Sequence, residues 1–167
     1  MLTRHISRGR SGLVFQAYGT RINLSAYFCP QINPRRMATK TPVYHPNVKE
    51  GLTIPAYSPG VICDGWLFVS GQTPLYYPTG EVRLGTIEEE THRVMQNIAE
   101  ILAGAGCSWD SVVKSTVHLS DISDFERYNA VYATYFSGVL PARTTVQSGL
   151  AKGIKIKIDV MAKVPQP

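Results

Sequence analysis

Val61-Ile62-Cys63-Asp64-Gly65-Trp66-Leu67-Phe68-Val69-Ser70 decides the fold of this chain. Two β-rich runs are separated by Asp-Gly alone, and two such residues take the positive φ that a type I′ hairpin turn demands. The hairpin predicts a sheet. Gly71, Pro74, Pro78 and Gly80 then mark a loop. Thr86 with Glu89 forms a capping box that opens a helix, and Glu88, Glu89 and Glu90 crowd its first turn, where the helix dipole favours negative charge. Ile87, Val94, Ile98, Ile101, Leu102 and Ala105 form its apolar stripe, and Gly104 and Gly106 end it.

Val112 to Ser120 follows as a strand, with Val113, Ser115, Val117 and Leu119 on one face. A second capping box, Ser123 with Glu126, predicts a helix to about Phe136, along which run Phe125, Tyr128, Tyr132 and Tyr135. Another strand starts at Arg143. The last spans Lys155 to Val164, where Ile156, Ile158, Val160 and Ala162 alternate with Lys155, Lys157, Asp159 and Met161. The order strand, strand, helix, strand, helix, strand, strand gives an α+β class, a mixed sheet with two helices on one face. The other face needs a cover, and cyclic self-association is the economical one.

With 167 residues the chain holds one domain. Its net charge of +5 is unevenly placed. Residues 1–36 carry Arg4, Arg8, Arg10, Arg21, Arg35 and Arg36 and no Asp, Glu or Lys, whereas from Met37 onward eleven Lys/Arg face twelve Asp/Glu. The basic excess therefore lies outside the 37–167 domain, against a nucleic-acid surface on it. An Arg-rich, acid-free stretch reads as a mitochondrial presequence. The competing reading is a start assigned too far upstream, with Met37 opening a cytoplasmic protein; on either reading residues 1–36 are an extension outside the fold, disordered by composition. No apolar run is long enough to span a membrane. Cys29, Cys63 and Cys107 form no CxxC pair, and His5, His45, His92 and His118 stand apart, so neither a disulfide framework nor a metal centre is expected.

The stretch with the most chemical content is Leu140-Pro141-Ala142-Arg143-Thr144-Thr145-Val146. Pro141 stiffens the start of a strand, and no acidic residue occurs between Glu126 and Asp159 to pair with Arg143. A guanidinium so placed grips a small carboxylate through two parallel hydrogen bonds; a surface arginine at a strand end is the plainer reading.

Five blocks in order, Ala56–Val61, Val69-Ser70-Gly71-Gln72-Thr73-Pro74-Leu75, Val113–Val117, Asp124–Asn129 and Pro141-Ala142-Arg143, resemble the reactive-intermediate deaminase family, also called Rid, YjgF or L-PSP. The resemblance covers roughly residues 42–164. It implies a chorismate-mutase-like α+β fold assembled as a homotrimer, with sites in the clefts between subunits. It further implies hydrolysis of 2-imino or enamine acids, such as 2-aminoacrylate and 2-iminobutanoate, to 2-keto acids and ammonia, with no cofactor or metal. On this resemblance Arg143 clamps the substrate carboxylate, and Tyr57, Ser70, Gly71, Asn129 and Thr145 line the cleft.

The chain departs from the family pattern in its last strand. Members often read Ile-Glu-Ile-Glu there, the first glutamate serving the attacking water; here Ile156-Lys157-Ile158-Asp159 stands in its place after a loop one residue shorter. Lys157 falls at the first acidic position and Asp159 at the second. A lysine ammonium accepts no proton from water unless its pKa falls far below the usual ~10.4, which leaves Asp159 as the candidate base. Thr144-Thr145 also replaces the Ser-Cys pair common in members. Three alternatives to the deaminase stay open: a non-catalytic trimer binding small carboxylates or keto acids, a relative acting on another enamine, and the endoribonuclease of the family's older name. The last lacks a basic-aromatic surface or a paired histidine acid and base.

Overall fold

Asp64 and Gly65 both adopt positive φ, 50° and 74°. The chain therefore reverses in two residues, and Cys63 pairs with Trp66 directly across the turn. The computed structural model describes residues 15–17, 20–22, 38–48 and 56–165. The chain divides into two units, 1–37 and 38–167, each treated separately.

In the first unit, β1 (Phe15–Ala17) and β2 (Thr20–Ile22) pair antiparallel. Neither was expected, because the extension shows no apolar alternation. The presequence reading otherwise lies outside the described residues.

The second unit runs β3 (Lys40–Val43), β4 (Gly60–Cys63), β5 (Trp66–Gln72), β6 (Leu75–Tyr76), β7 (Glu81–Val82), α1 (Ile87–Gly104), β8 (Val112–Leu119), α2 (Phe125–Ala133), β9 (Ala142–Gln147) and β10 (Ile156–Lys163). Six strands form one sheet in the order β3-β4-β5-β10-β8-β9, and β6 and β7 make a separate small hairpin. All pairs in the large sheet are antiparallel except β8 with β9, which α2 joins as a crossover. The mixed sheet with two helices is the expected α+β class.

Helix α1 opens on the expected capping box: Thr86 Oγ1 accepts from Glu89 N, and Glu89 Oε2 accepts from Thr86 N at 2.8 Å. Its buried stripe of Ile87, Val94, Met95, Ile98, Ile101 and Leu102 packs with Leu67 and Val69 of β5 and Ile156, Ile158, Val160 and Ala162 of β10. Glu90 is also buried. Its carboxylate accepts from the backbone N–H of Gly85 at 3.2 Å and of Lys155 at 2.7 Å, so it ties the start of α1 to the start of β10.

Two expectations are corrected. In β8, Val112 is buried and Val113 exposed, the reverse of the alternation read from the sequence. Lys114 pairs with Met161 but Val112 with Ala162, so Val113 is the extra residue of a β-bulge and its side chain is turned outward. The Ser123–Glu126 capping box is absent. Asp121 Oδ1 accepts from Ser123 N at 2.9 Å and caps a short 3₁₀ turn, from which α2 starts at Phe125. The helix ends at Ala133 and continues to Phe136 only through i→i−3 bonds, the tighter final turn common at helix ends.

Candidate active site

Arg143 is placed by the parallel pairing of β9 with β8. Ser115 registers with Arg143 and Val117 with Thr145. Ser115 and Val117 point into the helix-covered side of the sheet, so Arg143 and Thr145 point the same way, towards α2. Ala142, Thr144, Val146 and Gln147 of the same strand are exposed.

The guanidinium is framed by α2. Its Nη1 donates to Asn129 Oδ1 at 2.8 Å. The rings of Tyr132, Tyr128 and Phe125 have their centroids 4.8, 5.5 and 5.7 Å from its central carbon, at cation–π range. Both tyrosine hydroxyls are fixed in turn: Tyr132 shares a 2.7 Å hydrogen bond with Ser115 Oγ, and Tyr128 a 2.6 Å one with Thr145 Oγ1. Burial pushes the Tyr132 hydroxyl above its ordinary pKa, partly offset by Ser115 and by the positive Arg143. Among the described residues no carboxylate pairs with Arg143. The arrangement is an oriented cation with an aromatic wall, suited to a small planar acid.

Ser70 and Gly71 form a second group, on β5. Gln72 pairs with Ile158 and Val69 with Val160, so Ser70 and Gly71 together oppose Asp159 in a bulge. Ser70 Oγ donates to the Ser58 carbonyl at 2.7 Å, and Ser70 N to the Pro59 carbonyl at 2.8 Å. Buried Gln72 bonds the Ser70 carbonyl through Nε2 at 2.8 Å and accepts from the Tyr77 hydroxyl through Oε1 at 2.8 Å. Burial, reinforced by nearby Tyr57, pushes the Tyr77 hydroxyl up to about 12. The Tyr77 ring stacks on buried His45 at 3.8 Å and 8°. Tyr57 itself is 57% exposed, ahead of β4.

Lys157 and Asp159 lie beside this second group on the helix-free face, as the alternation of β10 requires. The Lys157 stem crosses Gly71: its Cγ and Cδ lie 3.2 Å from the place a Cβ on Gly71 would take, and its Cε fills that place. Lys157 registers with His118 and Asp159 with Thr116. His118 Nδ1 shares a 2.8 Å hydrogen bond with Ser148 Oγ, and Lys114 Nζ donates to Thr144 Oγ1 at 2.7 Å.

The residues singled out from sequence thus fall into two clusters within one chain. Arg143, Asn129 and Thr145 come together at the β9 edge. Ser70, Gly71, Lys157 and Asp159 come together on the opposite face, with β5 three strand positions from β9, roughly 14 Å. Gln72, Tyr77, Tyr128 and Tyr132 support these clusters and escaped the sequence reading. The partners of Tyr128 and Tyr132 come from other strands, Thr145 of β9 and Ser115 of β8, and the Gln72–Tyr77 bond, though local, depends on the course of the loop between them. No group of three metal-ligating side chains occurs among the described residues, and no described helix is long and apolar enough to cross a membrane.

Comparison with known proteins agrees with this architecture. The endoribonuclease L-PSP family matches residues 49–164. A 2-iminobutanoate/2-iminopropanoate deaminase of Rattus norvegicus is 43% identical over 115 residues, 68% of this chain and 84% of the relative. A RutC family protein of Saccharolobus solfataricus is 48% identical over 108 residues, 64% of this chain and 86% of the relative. A crystal structure from Yersinia pestis, described as a protein of unknown function of the conserved Rid family, superposes with a TM-score of 0.71 at 35% identity, covering 75% of this chain and all of its own. A mixed α+β sheet, the Ser-Gly-Gln and Pro-Ala-Arg segments on it, and these matches across the domain have one reading: the chain belongs to the L-PSP family, also known as Rid or YjgF.

Proposed function

We propose that this protein hydrolyses reactive 2-imino acids and their enamine tautomers to 2-keto acids and ammonia. The observation that carries the proposal is the Arg143 clamp: a guanidinium oriented by Asn129, walled by three aromatic rings, and free of a carboxylate partner among the described residues. A relative of 43% identity bears the name of such a deaminase, which supports the same substrate class.

The chemistry asks little of the protein. Water adds its oxygen to C2 of the protonated imine and gives up a proton to a base. The C–N bond of the resulting carbinolamine then breaks, nitrogen leaves as ammonia after taking a proton, and the remaining hydroxyl collapses to the keto group. Imines hydrolyse readily unaided, so holding the carboxylate and ordering one water supplies a useful acceleration. Asp159 is the carboxylate assigned to that water, and the Ser70–Gly71 bulge supplies backbone polar groups at the same face.

Arg143 and the Ser70–Gly71 cluster stand apart within one chain, and that separation supports a homotrimer with three clefts, in which each cluster meets the other from a neighbouring subunit. Sedimentation of the full chain at a mass other than three protomers would remove that assembly. Deaminase activity is tested by generating 2-iminobutanoate in situ with a threonine dehydratase and following keto-acid release with and without the protein. Acceleration that disappears in Arg143→Ala is the expected result; a rate equal to the uncatalysed one rejects the reading.

Two observations favour a second function, carboxylate binding without catalysis. Lys157 occupies the position where family members commonly carry glutamate, and the Thr145 hydroxyl is engaged by Tyr128.

A further inference from the structure

We propose that Lys157 makes the pocket selective for substrates with two acidic groups, so that the preferred 2-imino acid is a dicarboxylate. The inference rests on the deaminase site described above and names its substrate class.

Two features of Lys157 carry it. The first is its fixed stem. A long lysine chain normally samples many rotamers, but this one lies across Gly71 and fills the volume that any larger residue there would claim. The missing Cβ of Gly71 and the course of Lys157 are two halves of one contact, which brings the alkyl chain across the Ser70–Gly71 bulge. The second is its unmatched charge. Asp159 lies two residues away on the same strand face yet forms no ion pair with it, and among the described residues neither Lys157 nor Arg143 has a carboxylate within pairing distance. On the same face Lys114 donates to the Thr144 hydroxyl and His118 shares a hydrogen bond with Ser148, so Lys157 is distinguished from them by its contact with Gly71 rather than by charge alone.

Within one chain the two cations lie on opposite faces of the sheet. The inference therefore also takes from the proposed trimer a cleft in which Lys157 of one subunit and Arg143 of its neighbour face the same ligand. A site with two unmatched cations discriminates by charge. A monocarboxylate satisfies Arg143 and leaves the Lys157 ammonium to be desolvated without compensation. A ligand with a second carboxylate neutralises both, and charge complementarity of this kind sets specificity more than raw affinity. The same ammonium disfavours a purely apolar side chain at that end of the cleft. No new bond chemistry is required, since the hydrolysis at C2 is unchanged.

The test compares two ligands on the full-length chain. Titration calorimetry with 2-oxoglutarate and with 2-oxobutanoate should give binding about tenfold or more in favour of the dicarboxylate. Lys157→Met keeps the alkyl cover over Gly71 and removes the charge, so it should bring that ratio towards one; Lys157→Glu should invert it. In parallel, the imines of glutamate and of 2-aminobutanoate, produced in situ by an amino-acid oxidase, should show the same order in kcat/KM. A binding ratio that Lys157→Met leaves unchanged overturns the proposal, as does a preference for the monocarboxylate in the parent protein. Hydrolysis of both imines at a ratio indifferent to Lys157 leaves the deaminase standing and removes this specificity. Selective, Lys157-dependent binding with no hydrolysis of either imine does the reverse.

Discussion

Arg143 Nη1 donates to Asn129 Oδ1 at 2.8 Å, and this bond joins the edge strand of the sheet to the middle of α2. It leaves the other donors of the guanidinium available to a ligand. Arg143→Lys keeps the charge but loses the planar fork, so it should lower kcat/KM for 2-imino acids almost as far as Arg143→Ala. The expected loss is on the order of ten- to a hundred-fold, the worth of a charge-assisted pair. Steady-state kinetics of the two variants checks this, and full activity in Arg143→Lys would refute the bidentate clamp.

The Gln72 side chain bridges the Tyr77 hydroxyl and the Ser70 carbonyl. Gln72→Leu strands both in a buried place and should cost about 1–3 kcal/mol in urea denaturation. Because the two bonds share one residue, adding Tyr77→Phe to Gln72→Leu should cost less than the sum of the single losses. Strict additivity would mean that the network does not act as a unit.

How much of this was legible in the sequence depends on whether the cause is local. The Asp64–Gly65 turn and the Thr86–Glu89 box were legible because the residues that need each conformation sit next to one another. The β10 alternation was legible because one face of that strand packs into the helix-covered core and the other does not. Strand β3 was not: it is an edge strand containing Pro42, exposed at three of its four residues, and shows no alternation. Nor was the outward turn of Val113, since the bulge is imposed by the register with β10. In the site, the residue types of the clamp could be read. That Arg143 and Asp159 lie on opposite faces of the sheet could not, because it depends on strand order.

Burial of His45 lowers its pKa, with nearby Glu100 offsetting part of the effect. A folded-state pKa below that of the unfolded chain means that the unfolded state binds more protons as pH falls. Stability is therefore fully present above about pH 6.5 and declines as pH drops towards the folded value. Melting temperatures from pH 7.5 to 5 should fall with a component that His45→Phe, which retains a ring against Tyr77, removes. An identical slope in that variant would assign the acid sensitivity elsewhere.

The buried Glu90 carboxylate serves two backbone donors, from Gly85 and Lys155. Glu90→Gln turns an amide NH2 towards one of them, donor against donor. A loss of about 1–3 kcal/mol is expected by chemical denaturation, and an unaffected midpoint would contradict the role.

Lys157→Glu places an acid where family members commonly carry one and should raise turnover of 2-iminobutanoate. If turnover stays level while Asp159→Asn abolishes it, Asp159 alone serves the water. The readout is kcat with dehydratase-generated imine.

The position of β9 at the end of the sheet has a kinetic consequence. Among the described residues it pairs only with β8, so one row of its backbone amides has no partner strand there. Such a border opens more readily than the interior. The amides of residues 142–147 should therefore exchange with deuterium sooner than those of β10 in dilute solution, and slow down once another copy covers that border. If the proposed trimer covers that border, the arginine that defines the clamp is held most firmly at concentrations where the trimer forms, and specific activity should fall on dilution well before the chain unfolds.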